Sequence, residues 1–127
     1  MKRNQKVEVG GKKLTLSLSF GTSLKILDEV ASPSYIVESV LRGYFAEKAG
    51  ESYEAEFVFN ERNSTQIIHI ANEDHEGLSF DEIGELASEE TFIKFYGIVI
   101  GYLNELVMGR SKEAEEPQEP KDDSAEK

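Results

Sequence analysis

The chain has 127 residues, no cysteine and no tryptophan, and 14 basic against 25 acidic side chains, for a net charge of -11. That length supports one domain around a single core, and the missing cysteines exclude a disulfide framework, a thiolate metal centre and a thiol nucleophile. An acidic body repels phosphate backbones, which turns attention from nucleic acid to protein partners.

The charge is unevenly placed. Residues 1–13 carry +4, residues 14–109 carry -12 and residues 110–127 carry -3. Basic protein surfaces are therefore the natural targets of the body, while the N-terminus suits an acidic one. No run reaches the roughly 20 apolar residues expected of a membrane span, the nearest being Phe95 to Leu103 between Lys94 and Asn104. The start MKRNQKVEV is basic but lacks the apolar stretch and small-residue cleavage site of a secretory signal, so the expected location is the cytoplasm.

Val7 and Val9 alternate with Lys6 and Glu8, and Leu14, Leu16 and Leu18 alternate with Thr15, Ser17 and Ser19. This period of two predicts two half-buried strands, and Gly10-Gly11 supplies the positive φ angles of a two-residue hairpin turn. Lys12 and Lys13 are expected to keep that turn in water. A lone hairpin is marginal, so its leucine face needs helices over it.

A first helix is predicted from Thr22, with Leu24, Leu27 and Val30 facing the core, up to Ser32-Pro33, where proline removes a backbone donor. Ser32 as N-cap and Pro33 at the first helical position open a second helix. Its Ile36, Val37, Val40, Leu41, Tyr44 and Phe45 form a broad apolar stripe that ends at Gly50. Residues 53–59, YEAEFVF, alternate and are read as a third short strand or extended segment, with glutamates guarding its edge. A third helix is predicted from Asn63, with Gln66 completing a capping box, through Ile67, Ile68, Ile70 and Ala71 to Gly77. Ser79-Phe80-Asp81-Glu82 is an S-x-x-E box ahead of Ile83, Leu86 and Ala87. The longest helix is predicted after Ser88, with Glu89 and Glu90 in its first turn, and ends at Gly109.

In that last helix Phe92, Phe95, Tyr96, Val99, Tyr102, Leu103 and Leu106 make one stripe, while Ile98, Ile100 and Val107 lie off it. A helix apolar on more than one side is either surrounded by its own chain or half covered by another subunit. So small a chain has little material to surround it, so a homo-oligomer is expected. Gly97 and Gly101 permit a close helix approach, or are two glycines tolerated in a packed helix. Phe92, Phe95, Val99, Tyr102 and Leu106 are expected at core or assembly positions, and Ile98 and Ile100 are the better interface candidates. The tail after Gly109 is charged, carries two prolines and has no large apolar side chain, so disorder is expected. The expected fold is α+β: one domain over residues 1–109, an N-terminal hairpin packed on a bundle of about five helices, then a disordered acidic tail over residues 110–127.

Candidate chemistry is thin. His69, Glu73 and Glu76 fall at i, i+4 and i+7, with Asp74 and His75 nearby, a spacing able to place divalent-metal ligands on one helix face. A solvated acidic helix end accounts for the same residues, so no metal site is assigned. No serine lies in a G-x-S-x-G elbow, and Gly10-Gly11-Lys12 lacks the leading glycine, the Ser/Thr and the following helix of a phosphate loop. No catalytic residue or cofactor is assigned, and an enzyme is not expected.

Three stretches together carry a resemblance: VEVGGKKLTLSLSFGTSLKILDEV at residues 7–30, YEAEFVF leading into STQIIHIANE, and FDEIGELASEETF before the final helix. In this order, over nearly all of residues 7–108, the chain resembles the small tail assembly chaperones of long-tailed bacteriophages and the related proteins of gene transfer agents. The resemblance implies a bacterial cytoplasmic protein absent from the mature virion. It would coat the tape measure protein, keep its long helices soluble and help recruit the major tail tube protein. Composition and motifs lead to the expectation of no cofactor, nucleic acid or membrane partner, and no binding residue carries over from the resemblance as a signature. An acidic mimic of nucleic acid that inhibits a DNA-binding protein is the alternative suggested by the net charge, and a metal-dependent hydrolase around His69 is a third reading.

Overall fold

A computed structural model describes residues 3–52, 60–72 and 77–115. Among these, an antiparallel hairpin of β1 (Asn4–Val9) and β2 (Lys12–Ser17) precedes five helices: α1 (Phe20–Glu29), α2 (Pro33–Lys48), α3 (Glu61–Asn72), α4 (Phe80–Ala87) and α5 (Phe92–Glu115). The fold is α+β.

The hairpin follows from the alternation. Val9 pairs with Lys12 and Val7 with Leu14, and Gly10 and Gly11 take φ angles of 58° and 81°, which a two-residue turn with this twist requires. Val9, Leu14 and Leu16 are fully buried, and the Leu18 N–H donates to the Arg3 carbonyl at 2.9 Å, extending the ladder at its open end. Lys12 and Lys13 are exposed, yet the turn itself does not stand free in water. The Gly10 N–H donates to Glu90 Oε2 at 2.8 Å, and a Cβ on Gly10 would lie 2.5 Å from the Leu86 carbonyl oxygen. The tip is thus docked on the junction between α4 and α5.

Under the sheet, α3 is the hub. It contacts β2, α1, α4 and α5, and it buries Ile67, Ile68, Ile70 and Ala71. Ile26 of α1, Ile36 of α2, Ile83 of α4 and Phe95, Val99, Tyr102, Leu103 and Leu106 of α5 complete the core. The Tyr102 hydroxyl, fully buried, donates to the Ser17 carbonyl, so its one polar group has a partner at the end of β2. Burial raises its pKa above that of an ordinary phenol.

Several helix ends match their sequence signals. Ser32 Oγ accepts the Tyr35 N–H, Gly50 takes a φ of 73° just past α2, and Ser79 and Glu82 cap each other's backbone at 3.1 and 2.8 Å. Others move. α3 starts two residues earlier than its predicted Asn63, because Asn60 and Asn63 exchange side-chain-to-backbone hydrogen bonds at 2.8 and 2.9 Å; Asn63 takes the role given to Gln66. α5 starts at Phe92, since Thr91 Oγ1 accepts the Lys94 N–H at 3.2 Å while Ser88, Glu89 and Glu90 close off α4. Glu89 and Glu90 therefore precede α5 and do not sit in its first turn. At the other end α5 continues past Gly109 to Glu115. Gly109 therefore lies within the helix and does not terminate it, with the Arg3 guanidinium resting against it. The strand expected over residues 53–59, the acidic residues 73–76 and the tail from residue 116 lie outside the described residues.

Candidate protein-binding surface

The rotation of α1 about its axis is set by three hydroxyls. Ser19 Oγ accepts the Thr22 N–H at 3.1 Å, Thr22 Oγ1 donates to Ser17 Oγ at 2.8 Å, and Ser17 Oγ donates to Ser19 Oγ at 3.1 Å. This network ties the Thr22 side of the helix to the end of β2, so Thr22, Ser23 and Ile26 face inward. At about 100° per residue, that choice turns Phe20, Leu24 and Leu27 to the outside. Ile26 is fully buried and Lys25, Asp28 and Glu29 are in solvent, but the solvent side also carries large apolar side chains. Leu24 and Leu27, expected in the core, are exposed, and only Val30 of that predicted face packs against the core.

α2 repeats the pattern over its second half. Ile36 and Ser39 point inward and Val37 is half-buried against the core, whereas Leu41, Tyr44 and Phe45 of the predicted stripe stand in solvent. Tyr44 and Phe45 meet edge to face with ring centres 5.5 Å apart, and Lys48 Nζ lies 5.4 Å from the Tyr44 ring. Phe20, Leu24, Leu27, Leu41, Tyr44 and Phe45 are each 43–62% exposed, on two helices that pack against one another. Six large apolar side chains left in water on adjacent helices mark a surface for another macromolecule.

The seven interface candidates of α5 divide. Phe95, Val99, Tyr102 and Leu106 are buried in the core and are closed to another subunit. Ile98 is half-buried against that core, Ile100 is half-buried, and Phe92 is 38% exposed with its ring 5.8 Å from that of Tyr96. Ile93 is 81% exposed and is not among those candidates, although it lies seven residues before Ile100 and shares that residue's side of the helix. By length and composition Phe92–Gly109 meets the requirement for a membrane-crossing helix, with a mean hydropathy of 1.2, and 33% of it is buried within the molecule.

A cleft of about 590 Å³ lies between α3, α4 and the start of α5, lined by Glu61, Arg62, Thr65, Phe80, Gly84, Ala87, Ser88, Glu90, Phe92 and Phe95. The Ser88 hydroxyl is committed to the Glu85 carbonyl at 2.7 Å, and Glu90 is held by the Gly10 N–H and by Lys94 Nζ at 3.3 Å. The Gly10 hydrogen bond, aided by Lys94, keeps the Glu90 carboxyl below the usual carboxylate range despite some desolvation. His69 packs edge-on against Phe80, with centres 6.2 Å apart. Its predicted companions Glu73, Asp74, His75 and Glu76 lie outside the described residues, and among the described residues no three metal-ligating side chains converge.

Comparison with family models, curated proteins and solved structures finds no match to this chain.

Proposed function

We propose that this chain is a tail assembly chaperone of a long-tailed phage or a related gene transfer agent. It binds amphipathic helices of the tape measure protein, keeps them soluble and helps recruit the major tail tube protein. It acts in the cytoplasm of the bacterial host and is absent from the finished particle. The observation that carries this reading is that Phe20, Leu24 and Leu27 of α1 face solvent, as do Leu41, Tyr44 and Phe45 of the neighbouring helix α2. An extended amphipathic helix docks through residues at i, i+3, i+4 and i+7 into such an apolar strip. Exposed on or beside the same two helices, Asp28, Glu29, Glu38, Glu47 and Glu51 outnumber Lys25, Arg42 and Lys48, and although Glu38 already pairs with Arg42 at 2.9 Å the excess is acidic and favours a client whose polar flank is basic. The resemblance of residues 7–108 points the same way.

The acidic-mimic alternative asks for carboxylates in duplex-like rows, and an apolar strip on α1 and α2 supports it less. Co-expression with a candidate tape measure protein tests the proposal. The client should move into the soluble fraction and copurify with this chain. A tape measure protein that stays insoluble beside well-folded chaperone would end the reading.

A further inference from the structure

The cleft between α3, α4 and the start of α5 has no part in the client reading, and its wall sorts into committed and uncommitted groups. Phe95 is its buried lining ring, while Phe80 and Phe92 are exposed at its sides. Both exposed rings are braced, Phe80 against His69 at 6.2 Å and Phe92 against Tyr96 at 5.8 Å. Most of the polar side chains are occupied within the chain. Thr65 Oγ1 donates to the Glu61 carbonyl and Ser88 Oγ to the Glu85 carbonyl, each at 2.7 Å, while Glu90 accepts from the Gly10 N–H and pairs with Lys94. Arg62 differs. It is exposed and, among the described residues, its guanidinium makes no hydrogen bond or ion pair, which leaves a planar fork of donors open on the rim. A cavity of about 590 Å³ is the size that encloses a small organic molecule, and phenylalanine rings beside one free guanidinium complement a ligand that is apolar at one end and anionic at the other. We propose that this cleft binds a small aromatic carboxylate, its ring against Phe80, Phe92 and Phe95 and its carboxylate on Arg62.

An aromatic ring is favoured over an aliphatic chain because ring edges and faces gain more against phenylalanine than area burial alone. A carboxylate is favoured over a phosphate because one arginine fork matches one carboxylate, whereas a second negative charge would meet Glu61 and Glu90 on the same rim. Glu61 is the counterweight in any case. It stands in water, where its repulsion is screened, while Arg62 contacts the anion directly. An ammonium ligand would turn to Glu61. The anion is preferred because the first turns of α3 and α5, at Glu61 and Arg62 and at Phe92, both border the cleft with the positive ends of their dipoles, whereas α4 lies along it from Phe80 to Ser88 and presents neither end alone. A free acid is assigned in place of the C-terminal residue of a polypeptide, because walls made of helices offer no open strand edge to the backbone that would follow. The site shares no residue with the α1 and α2 strip and stands or falls apart from the client reading.

Titration of the full chain with hydrocinnamate, followed by two-dimensional NMR, tests it. Resonances of Arg62, Phe80 and Phe92 should move together and saturate with a dissociation constant of about a millimolar, the range for a ligand of this size. Hydrocinnamide, the neutral isostere, should bind about tenfold more weakly, and phenethylamine, the cation, more weakly still. Arg62→Gln, at an exposed position away from the core, should weaken hydrocinnamate about tenfold and leave hydrocinnamide unchanged, whereas Glu61→Gln should tighten hydrocinnamate about twofold. An absence of saturable binding overturns the proposal, as do equal affinities for acid and amide, preference for the amine, or an Arg62→Gln variant that binds the acid like the wild type. Shifts confined to Phe20, Leu24 and Phe45 would place the ligand on the client strip and overturn it too. A peptide ending in phenylalanine that binds about tenfold tighter than hydrocinnamate would assign the cleft to polypeptide C-termini, with the same consequence.

Discussion

The orientation of α1 makes a sharp energetic prediction, because spacing and structure assign opposite faces to the core. Were Leu24 and Leu27 buried, truncating or polarising either would cost about 2–5 kcal/mol, and the pair would unfold a domain of this size. In the structure they are 43% and 48% exposed, so roughly half of the burial value of a leucine is at stake, about 1 kcal/mol each. Leu24→Gln with Leu27→Gln keeps good helix formers in place and should cost about 2 kcal/mol together. Thr22→Val, nearly isosteric, removes the hydroxyl that donates to Ser17 Oγ at 2.8 Å and should cost about 1–3 kcal/mol by itself. Urea unfolding followed by far-ultraviolet circular dichroism reads both, with unchanged denaturant slopes. A loss above about 4 kcal/mol for the double leucine variant, together with a neutral Thr22→Val, would refute the outward placement of Leu24 and Leu27 and with it the docking strip.

Other expectations concern the docked hairpin and the core. Gly11→Ala meets open space and carries only the strain of a φ near 81°, about 1 kcal/mol, whereas Gly10→Ala adds the 2.5 Å approach to the Leu86 oxygen and should cost about 2–4 kcal/mol by thermal unfolding. The pKa of Glu90 in the folded chain is depressed from 4.5, so its stabilising effect is full above that value and is lost as pH falls through the folded pKa. The difference in thermal midpoint between wild type and Glu90→Gln should accordingly be largest near neutral pH and vanish in acid. Tyr102→Phe leaves the Ser17 carbonyl without its buried donor and should cost about 1–2 kcal/mol in urea with no change of fold by circular dichroism.

What the sequence disclosed tracks how local the deciding interaction is. The hairpin, the Ser32-Pro33 opening of α2 and the Ser79–Glu82 box rest on contacts within a few residues, so spacing alone located them. The facing of α1 rests on Ser17 and Ser19 hydroxyls preceding the helix, and apolar periodicity has no means of weighing a buried threonine against two leucines. The docking of Gly10 on Glu90 spans 80 residues and leaves no mark on either segment. In α5 the main stripe identified Phe95, Val99, Tyr102, Leu103 and Leu106 of the core but also took in the exposed Phe92 and half-buried Tyr96, and exposure of Ile93 and Met108 depends on which flank the hairpin and α2 leave open, a tertiary fact. The capping pair of α3 is Asn60 and Asn63, three residues before the expected Asn63 and Gln66, because Asn63 fits either end of such a pair.

Hydroxyl-radical labelling of the purified chain, alone and in complex with the helical region of a tape measure protein, tests the central claim most directly. The account predicts strong labelling of Phe20, Leu24, Leu27, Tyr44 and Phe45 in the free chain and loss of that labelling in the complex, with little change in the cleft at Phe80. Unlabelled α1 and α2 residues in the free chain, or protection confined to other helices on binding, would contradict it.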